Sequence, residues 1–472
     1  MLWVWLSLTG AIAEFVSAPE SSRQREIPAW FQDAKLGILV HWGLYSVPAW
    51  APVSGTLPEV VAREGWGGWF TNHPGAEWYA NSLKLSNSPV WRRQREIYGP
   101  IARYDDFVPQ FDEATRGWNP SQWIDLFTQA GARYVILTAK HHDGFLLWPG
   151  QQIEAPKTNY HAARDLVGDL ASAARERKMR FGVYYSGGLD WNFNQRPITN
   201  VVDLFVGIHA ATNYLPYFLN HWRDLVDRYQ PSILWNDLGS PVRVNVEALL
   251  DYYYAKVPDG VANDRFRLGL LPGDNTAPGD FRTPDYSAVK GLSAGKFEVT
   301  RVLGLSSGYN QQETGKDLAT VDEIVRQLVD VVAKNGNLLL NIGPAADGSI
   351  PRAQRERLLG LGQWLRDNGD AIYGTRPWRV AEAKSREGDE VRFTQKGPAV
   401  YVFLPRPPSG GTLTLPSMRA MEDTKARLLA KTGAPLKWSQ TGNDLQITLP
   451  RELPVSPVLT LELSPQPIWL AK

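Results

Sequence analysis

The 472-residue sequence contains no cysteine, which excludes disulfide bonds and thiolate chemistry. It also has almost no excess charge, because 50 Lys and Arg residues face 49 Asp and Glu residues and leave a formal net charge of +1. This balance gives no electrostatic reason to expect a nucleic acid or a membrane as partner. No apolar run is long enough to span a bilayer as a helix. The remaining composition, with 43% hydrophobic and 21% charged residues, is that of a globular chain.

Residues 1–27 form an N-terminal segment that could be a leader. Residues 2–13 are apolar and residues 11–13 (AIA) resemble a signal-peptidase site, but no basic residue precedes the apolar run as in an ordinary secretory signal. A cytoplasmic and a secreted or periplasmic location therefore both remain open.

From residue 28 to about residue 375, short apolar runs alternate with longer amphipathic segments. The runs lie at residues 36–41, 134–140, 181–186, 233–237 and 337–341. The amphipathic segments carry helix start signals, such as Asn119 before Pro120 and a capping box of Thr320 with Glu323. Buried strands that alternate with amphipathic helices predict a parallel sheet. Several such units over roughly 350 residues predict a (β/α)8 barrel at residues 28–375.

After residue 375 the pattern changes to short strands without helical segments between them. The predicted strands lie at residues 391–394, 399–404, 412–415, 445–449 and 458–463. Gly, Pro and Asn-Asp turns separate them, and their spacing predicts an antiparallel β-sandwich at residues 376–472.

Polar residues able to do chemistry lie at the C-terminal ends of the apolar runs. They are His41, His141, His142, Tyr184, Asp237 and Asn341. In a (β/α)8 barrel these strand ends meet at one rim, where the active site lies. The sequence therefore predicts an active site built from these side chains.

Each of these residues also has a plain structural interpretation. Asp237 could cap the next helix, and the histidines could satisfy hydrogen bonds of the core or bind zinc. No HExxH spacing supports a metal site. Because neighbours in a strand point to opposite faces, His141 and His142 share the rim only if the strand has already ended.

At these residues the chain resembles the α-L-fucosidases of glycoside hydrolase family 29. The longest matching motifs are residues 137–145 (LTAKHHDGF) and 336–348 (GNLLLNIGPAADG), and shorter ones lie at 29–43, 77–79, 182–191, 234–237 and 308–310. The family also has a C-terminal sandwich. The resemblance implies a retaining exo-α-L-fucosidase that releases terminal α-L-fucose from oligosaccharides or glycoconjugates through a covalent fucosyl-enzyme. It implies neither a cofactor nor a metal.

The resemblance also implies roles for individual residues. Asp237 corresponds to the nucleophile of the family. The residues that correspond to substrate contacts are His41, Trp69, Glu77, Trp78, His141, His142, Tyr184 and Arg265. For the general acid/base, Asp285 in the stretch TPDY is favoured over Glu298, whose structural interpretation is an ion pair with Arg301.

Other functions remain as alternatives at this stage. A sugar-binding protein on an inactive barrel would lack the nucleophile, but Asp237 is present. A metal-dependent hydrolase would use the three histidines, and a closely related enzyme would prefer α-L-galactosides. The fucosyl linkage and the oligomeric state, including a homo-oligomer, are left open by the sequence.

Overall fold

The computed structural model describes residues 25–151, 155–207, 213–241, 243–267, 279–284, 289–408, 410–429 and 433–470. Residues 1–24 of the possible leader at residues 1–27, and the predicted acid/base Asp285, lie outside the described residues. The helices are α1 (Ala29–Ala34), α2 (Leu57–Asn72), α3 (Tyr79–Ser82), α4 (Pro89–Tyr98), α5 (Val108–Thr115), α6 (Pro120–Gln129), α7 (Leu166–Glu176), α8 (Val201–Gly207), α9 (Tyr214–Tyr229), α10 (Val246–Lys256), α11 (Val321–Ala333) and α12 (Arg352–Asn368). No helix among these residues is both long and apolar enough to cross a membrane.

Among the described residues, seven parallel strands form the sheet of the first region. They are β1 (Leu36–Val40), β2 (Tyr134–Lys140), β3 (Arg180–Ser186), β4 (Ile233–Asp237), β5 (Val261–Ala262), β6 (Phe297–Val302) and β7 (Gly336–Ile342), in the spatial order β5-β4-β3-β2-β1-β7-β6. The two edges are joined by a short extended segment, since Phe281 bridges to Asn263 and Arg282 bridges to Phe297, both in parallel. The sheet thereby curls into a (β/α)8-like barrel, as the alternation of strands and helices predicted.

Alternate strand residues point into the barrel and fill it. The interior cluster contains Phe31, Leu39, Tyr134, Ile136, Tyr184, Ile233, Trp235 and Leu339. Gly37 makes room for this filling, because a Cβ atom at that position would lie 2.0 Å from the ring of Tyr134. The other strand face packs against the helices in a larger apolar cluster. The filled interior forms a floor beneath the rim.

The predicted helix starts at two positions are confirmed. The Asn119 side chain accepts a hydrogen bond from the backbone N–H of Ser121 at the start of α6. Thr320 and Glu323 form a capping box at the start of α11. Both caps satisfy backbone N–H groups that have no partner within the helix.

In the part of the second region that the structure describes, one antiparallel sheet has eight strands and a small sheet has two. The strands are β8 (Arg376–Lys384), β9 (Glu390–Lys396), β10 (Ala399–Leu404), β11 (Thr412–Leu415), β12 (Met418–Arg419), β13 (Lys425–Leu429), β14 (Pro435–Thr441), β15 (Asp444–Thr448), β16 (Leu459–Ser464) and β17 (Ile468–Trp469). The larger sheet has the order β11-β15-β14-β13-β16-β10-β9-β8, and its strands share one apolar core, so the sheet folds over as a sandwich. Because β8 begins at Arg376, we propose domain boundaries at residues 28–375 and 376–472.

Candidate active site

Asp237 is the last residue of β4, and two donors hold its carboxylate. Oδ1 accepts a hydrogen bond from Nη1 of Arg265 at 2.8 Å, and Oδ2 accepts one from the hydroxyl of Tyr184 at 2.6 Å. Burial alone would raise the pKa of Asp237, but the Arg265 guanidinium and the Tyr184 hydrogen bond together lower it below its ordinary value. Asp237 is therefore ionised at neutral pH, as an attacking carboxylate must be.

Arg265 links Asp237 to the segment that closes the barrel. Its guanidinium lies over the ring of Trp235, 4.7 Å from the ring centre. Its Nε donates to Oγ1 of Thr283 at 2.8 Å, and its Nη2 donates to the carbonyl oxygen of Thr283 at 3.3 Å. One side chain thus fixes both the carboxylate of Asp237 and the described chain up to residue 284.

His41 follows β1 and is oriented by a neighbouring amide. Asn341 uses its Nδ2 to donate to the carbonyl oxygen of Ser307, so its Oδ1, 2.5 Å from Nδ1 of His41, must accept. Nδ1 therefore carries the proton and Nε2 is an acceptor. Burial lowers the pKa of His41 to about 4, so the ring is neutral at pH 7.

His142 is oriented in a similar way, but its partner is the hydroxyl group of Ser186. The hydroxyl of Ser186 donates to the carbonyl oxygen of Leu189 at 2.7 Å, so it accepts the hydrogen bond that joins it to Nδ1 of His142 at 2.7 Å. Nε2 of His142 is again an acceptor. Burial lowers the pKa of His142 to about 3. Two neutral imidazoles can thus accept hydrogen bonds from hydroxyl groups of a ligand.

His141 lies between the other two rings. β2 ends at Lys140, so the condition under which both histidines can share the rim is met. The ring centres of His141 and His142 are 3.9 Å apart, and those of His141 and His41 are 5.3 Å apart. The Nδ1 atom of His141 is buried without a hydrogen-bond partner in the described part of the chain.

Glu77 lies in a short 3-10 helix (Ala76–Trp78) and is 8% exposed. Its Oε2 accepts a hydrogen bond from the backbone N–H of Gly308 at 3.0 Å. Burial raises the pKa of Glu77, although this backbone donor opposes the shift. The carboxyl group thus links this short helix to the loop after β6.

Trp78 joins the histidines to a group of aromatic side chains. Its ring centre lies 5.4 Å from that of His142 and 5.4 Å from that of Trp191. Trp69 of α2 packs edge-on against Trp78, with the ring centres 5.8 Å apart. The predicted aromatic contacts are therefore joined to the histidine cluster.

Glu298 does not lie at the rim. It is fully buried near the start of β6, where its two oxygens accept hydrogen bonds from the Tyr134 hydroxyl at 2.5 Å and from Nε1 of Trp235 at 2.9 Å. The expected ion pair with Arg301 is wrong, because the Arg301 guanidinium donates to Gln327. Glu298 instead supports the floor, one layer beneath Asp237. The position of Asp285, its competitor, lies outside the described residues.

Sequence reasoning missed a buried ion pair behind the site. Nζ of Lys140 lies 2.9 Å from Oδ2 of Asp190, and both side chains are 0% exposed. Nζ also donates to the hydroxyl of Tyr214 at 3.2 Å. Asp190 precedes Trp191, so the pair fixes the segment that presses Trp191 against His142. The signal in the sequence was a lysine at the end of an otherwise buried run.

The geometry brings all eight predicted substrate contacts and Asp237 into connected positions around one rim. Among the described residues, no group of three or more Asp, Glu or His side chains is arranged to hold a metal ion. What the rim offers is an ionised carboxylate, neutral imidazole acceptors and aromatic walls. This combination suits attack on a polyhydroxylated ligand such as a sugar.

The comparisons agree with this chemistry. The family model described as Alpha-L-fucosidase matches residues 7–370, and the model of the Alpha-L-fucosidase C-terminal domain matches residues 385–464. Human tissue alpha-L-fucosidase is 35% identical over 451 residues, which cover 92% of this chain and 87% of the human protein. The crystal structure of a Thermotoga maritima alpha-fucosidase in complex with fucose is 42% identical, with a TM-score of 0.82 over 94% of this chain and 99% of that one. Alpha-L-fucosidase isoenzyme 1 from Paenibacillus thiaminolyticus is 26% identical, with a TM-score of 0.70 over 92% of this chain and 97% of that one.

Proposed function

The chain belongs to the α-L-fucosidase family of glycoside hydrolases, and we propose that it is a retaining exo-acting enzyme that removes terminal α-L-fucose from oligosaccharides or glycoconjugates. The observation that carries the proposal is the position of the Asp237 carboxylate at a barrel-strand end, in contact with Arg265 and Tyr184. Arg265 and Tyr184 keep it charged and hold it in place, as a nucleophile requires. A retaining glycosidase forms a covalent glycosyl-enzyme on such a carboxylate.

In the first step, an oxygen of Asp237 attacks the anomeric carbon while the bond from that carbon to the leaving oxygen breaks. A general acid gives its proton to the leaving oxygen. In the second step, the residue that served as general acid now acts as general base and takes a proton from water. The water oxygen then attacks the anomeric carbon and displaces Asp237. The product keeps the α configuration because each step inverts the anomeric carbon once.

We assign the general acid/base to Asp285. The support is the link from Asp237 through Arg265 to Thr283, which is two residues away from Asp285 in the chain. Two residues span at most about 7 Å, so Thr283 is a described anchor close in the chain to the proposed acid/base. Glu298 suits the role poorly, since it is fully buried and both its oxygens already accept hydrogen bonds.

The neutral histidines serve to recognise fucose hydroxyls. His41 and His142 each offer Nε2 as an acceptor, and their partners Asn341 and Ser186 fix the rings. A hydroxyl that donates to Nε2 gains a hydrogen bond without the cost of burying a charge. Glu77 and Trp78 complete the contacts with the sugar in this proposal.

The test is the stereochemistry of hydrolysis of an aryl α-L-fucoside, followed by proton NMR before the product anomers equilibrate. We expect α-L-fucose to form first. If β-L-fucose forms first, the enzyme inverts and the double displacement is refuted. An aryl α-L-galactoside measured in parallel decides whether the galactoside alternative holds, because a higher kcat/KM for that substrate would make galactose the preferred sugar.

A further inference from the structure

Helix α2 is broken in its middle and carries three aromatic side chains after the break. Gly65 has φ +71°, which is the left-handed region and interrupts the helix. Trp66, Trp69 and Phe70 follow at positions i, i+3 and i+4, and these positions share one helix face. Trp66 differs from the other two because its side chain is 45% exposed.

The exposed Trp66 is the outer end of an aromatic series that leads into the site. Its ring centre lies 6.3 Å from that of Trp69, which lies 5.8 Å from that of Trp78, which lies 5.4 Å from that of His142. Exposure falls along the series, from 45% at Trp66 to 8% at Trp78. The surface at Trp66 is therefore continuous with Trp78 and His142, which are proposed to contact fucose.

The segment that carries Trp66 is held in place on both sides of the break. His73, just after α2, places Nε2 2.8 Å from Oε2 of Glu64, just before Gly65. Its Nδ1 lies 2.7 Å from Oγ of Ser54. These contacts tie the two halves of α2 together, so the Trp66 ring has a fixed support although one side of it faces solvent.

We propose that Trp66 is the aromatic platform of a subsite for the leaving saccharide, the part of the substrate to which fucose is attached. This proposal rests on the proposed function, because a leaving saccharide is present beside the rim only if the protein cleaves glycosidic bonds. A half-exposed indole stacks on the apolar face of a pyranose and leaves the hydroxyl groups of the sugar in water. The charged neighbours Arg63 and Glu64 suit a hydroxylated ligand better than a second apolar protein surface.

The experiment compares two substrates that differ only in the leaving group. In α-L-fucosyl fluoride the leaving group is one atom and cannot reach Trp66, whereas a fucosylated trisaccharide places two further sugars beyond the cleaved bond. We expect Trp66→Ala to lower kcat/KM for the trisaccharide about tenfold, mainly through KM, and to leave the fluoride unchanged. Trp66→Phe should restore most of the loss.

Met421→Ala is the matched control, since Met421 is a 41% exposed apolar side chain in the C-terminal sheet. It should change neither substrate. An equal loss on both substrates after Trp66→Ala would show that Trp66 only supports the fold of the site, and no loss on either would also overturn the subsite. If the unaltered protein hydrolyses neither fucoside, the proposed function itself is refuted and the subsite with it.

Discussion

The rim of the barrel buries charged side chains, whereas the C-terminal sheet keeps its charged side chains at the surface. At the rim, Asp237, Arg265 and the histidines are buried or nearly so. In the sheet, buried positions such as Phe393 and Leu461 are apolar, and the Arg427–Glu462 ion pair lies at the surface with the arginine 51% exposed. Burying polar and charged groups costs free energy unless each has its partners. The rim accepts the cost of burying charge for chemistry, whereas the buried polar residues among the described part of the sheet, such as Thr394 and Thr460, are uncharged.

This difference predicts that substitutions at the rim remove activity and spare stability, and that substitutions in the sheet do the reverse. The following predictions test that separation, beginning with the largest effect.

Asp237→Ala should lower turnover of an aryl α-L-fucoside by several orders of magnitude, because the covalent intermediate cannot form. The thermal midpoint should stay close to that of the unaltered protein. Added azide should give only an inverted product, β-L-fucosyl azide, identified by NMR. Substantial residual activity in a preparation free of unaltered enzyme would contradict the assignment of the nucleophile.

Asp285→Ala should lower activity on natural oligosaccharides by about 10² to 10⁴, since an alkoxide leaving group needs a proton. A dinitrophenyl fucoside leaves without that help, so its first step should be little affected and the fucosyl-enzyme should accumulate. Azide should then restore turnover with retention and give α-L-fucosyl azide.

Glu298→Ala is the comparison for Asp285→Ala. It removes a support beneath Trp235, so its defect should be similar for good and poor leaving groups and should not respond to azide. Azide rescue in Glu298→Ala and not in Asp285→Ala would transfer the acid/base role to Glu298.

The sequence predicted the architecture well because its signals are local. Runs such as residues 134–140 and 399–404 coincide with β2 and β10, and the caps at Asn119 and Thr320 lie where expected. The positions of strand ends likewise predicted which side chains meet at the rim, since a parallel barrel brings them together.

What the sequence did not predict depends on contacts between distant segments. The partners of Glu298 come from β2 and β4, and the partner of Lys140 is 50 residues further along the chain. No local pattern distinguishes a carboxylate near the start of β6 that supports the floor from one that reaches the rim. Burial and hydrogen-bond partners separate the two, and both arise only when the barrel closes.

Leu461→Ala should lower the free energy of unfolding by about 2–5 kcal/mol, because it removes a fully buried side chain and leaves a cavity. Leu461 pairs with Val402 and Leu428 in the middle of the sheet. Denaturant unfolding measures the loss, and kcat of the folded protein should not change. As a control, Arg427→Gln removes the exposed pair with Glu462 and should cost less than about 1 kcal/mol. A drop in kcat with Leu461→Ala at temperatures where the protein is folded would show that the sheet influences the rim. Effects on stability and on activity would then not be separate.

The last prediction concerns the effect on stability of Glu298, a buried acid of the barrel. Burial raises its pKa to about 7, from an ordinary value of 4.5. Between these two pH values the folded protein keeps the proton and the unfolded chain releases it, so the free energy of unfolding falls as pH rises from about 4.5 to 7 and is then level. The shift corresponds to a loss on the order of 3 kcal/mol.

Glu298→Gln should remove this loss, because the amide does not titrate. Its oxygen can still accept from Nε1 of Trp235, and its NH₂ group can donate to the Tyr134 hydroxyl. That hydroxyl can turn toward Oδ1 of Asn337, which has no hydrogen-bond partner among the described residues. We therefore expect the variant to lose less stability than the unaltered protein in urea unfolding between pH 5 and pH 8. Other titrating groups are common to both proteins and cancel in this difference, and Glu356→Gln at the exposed pair with Arg352 controls for the loss of a carboxyl group. Parallel pH profiles for Glu298→Gln and the unaltered protein would mean that Glu298 is ionised throughout, and the floor of the barrel would then carry a charge in the same way as the rim.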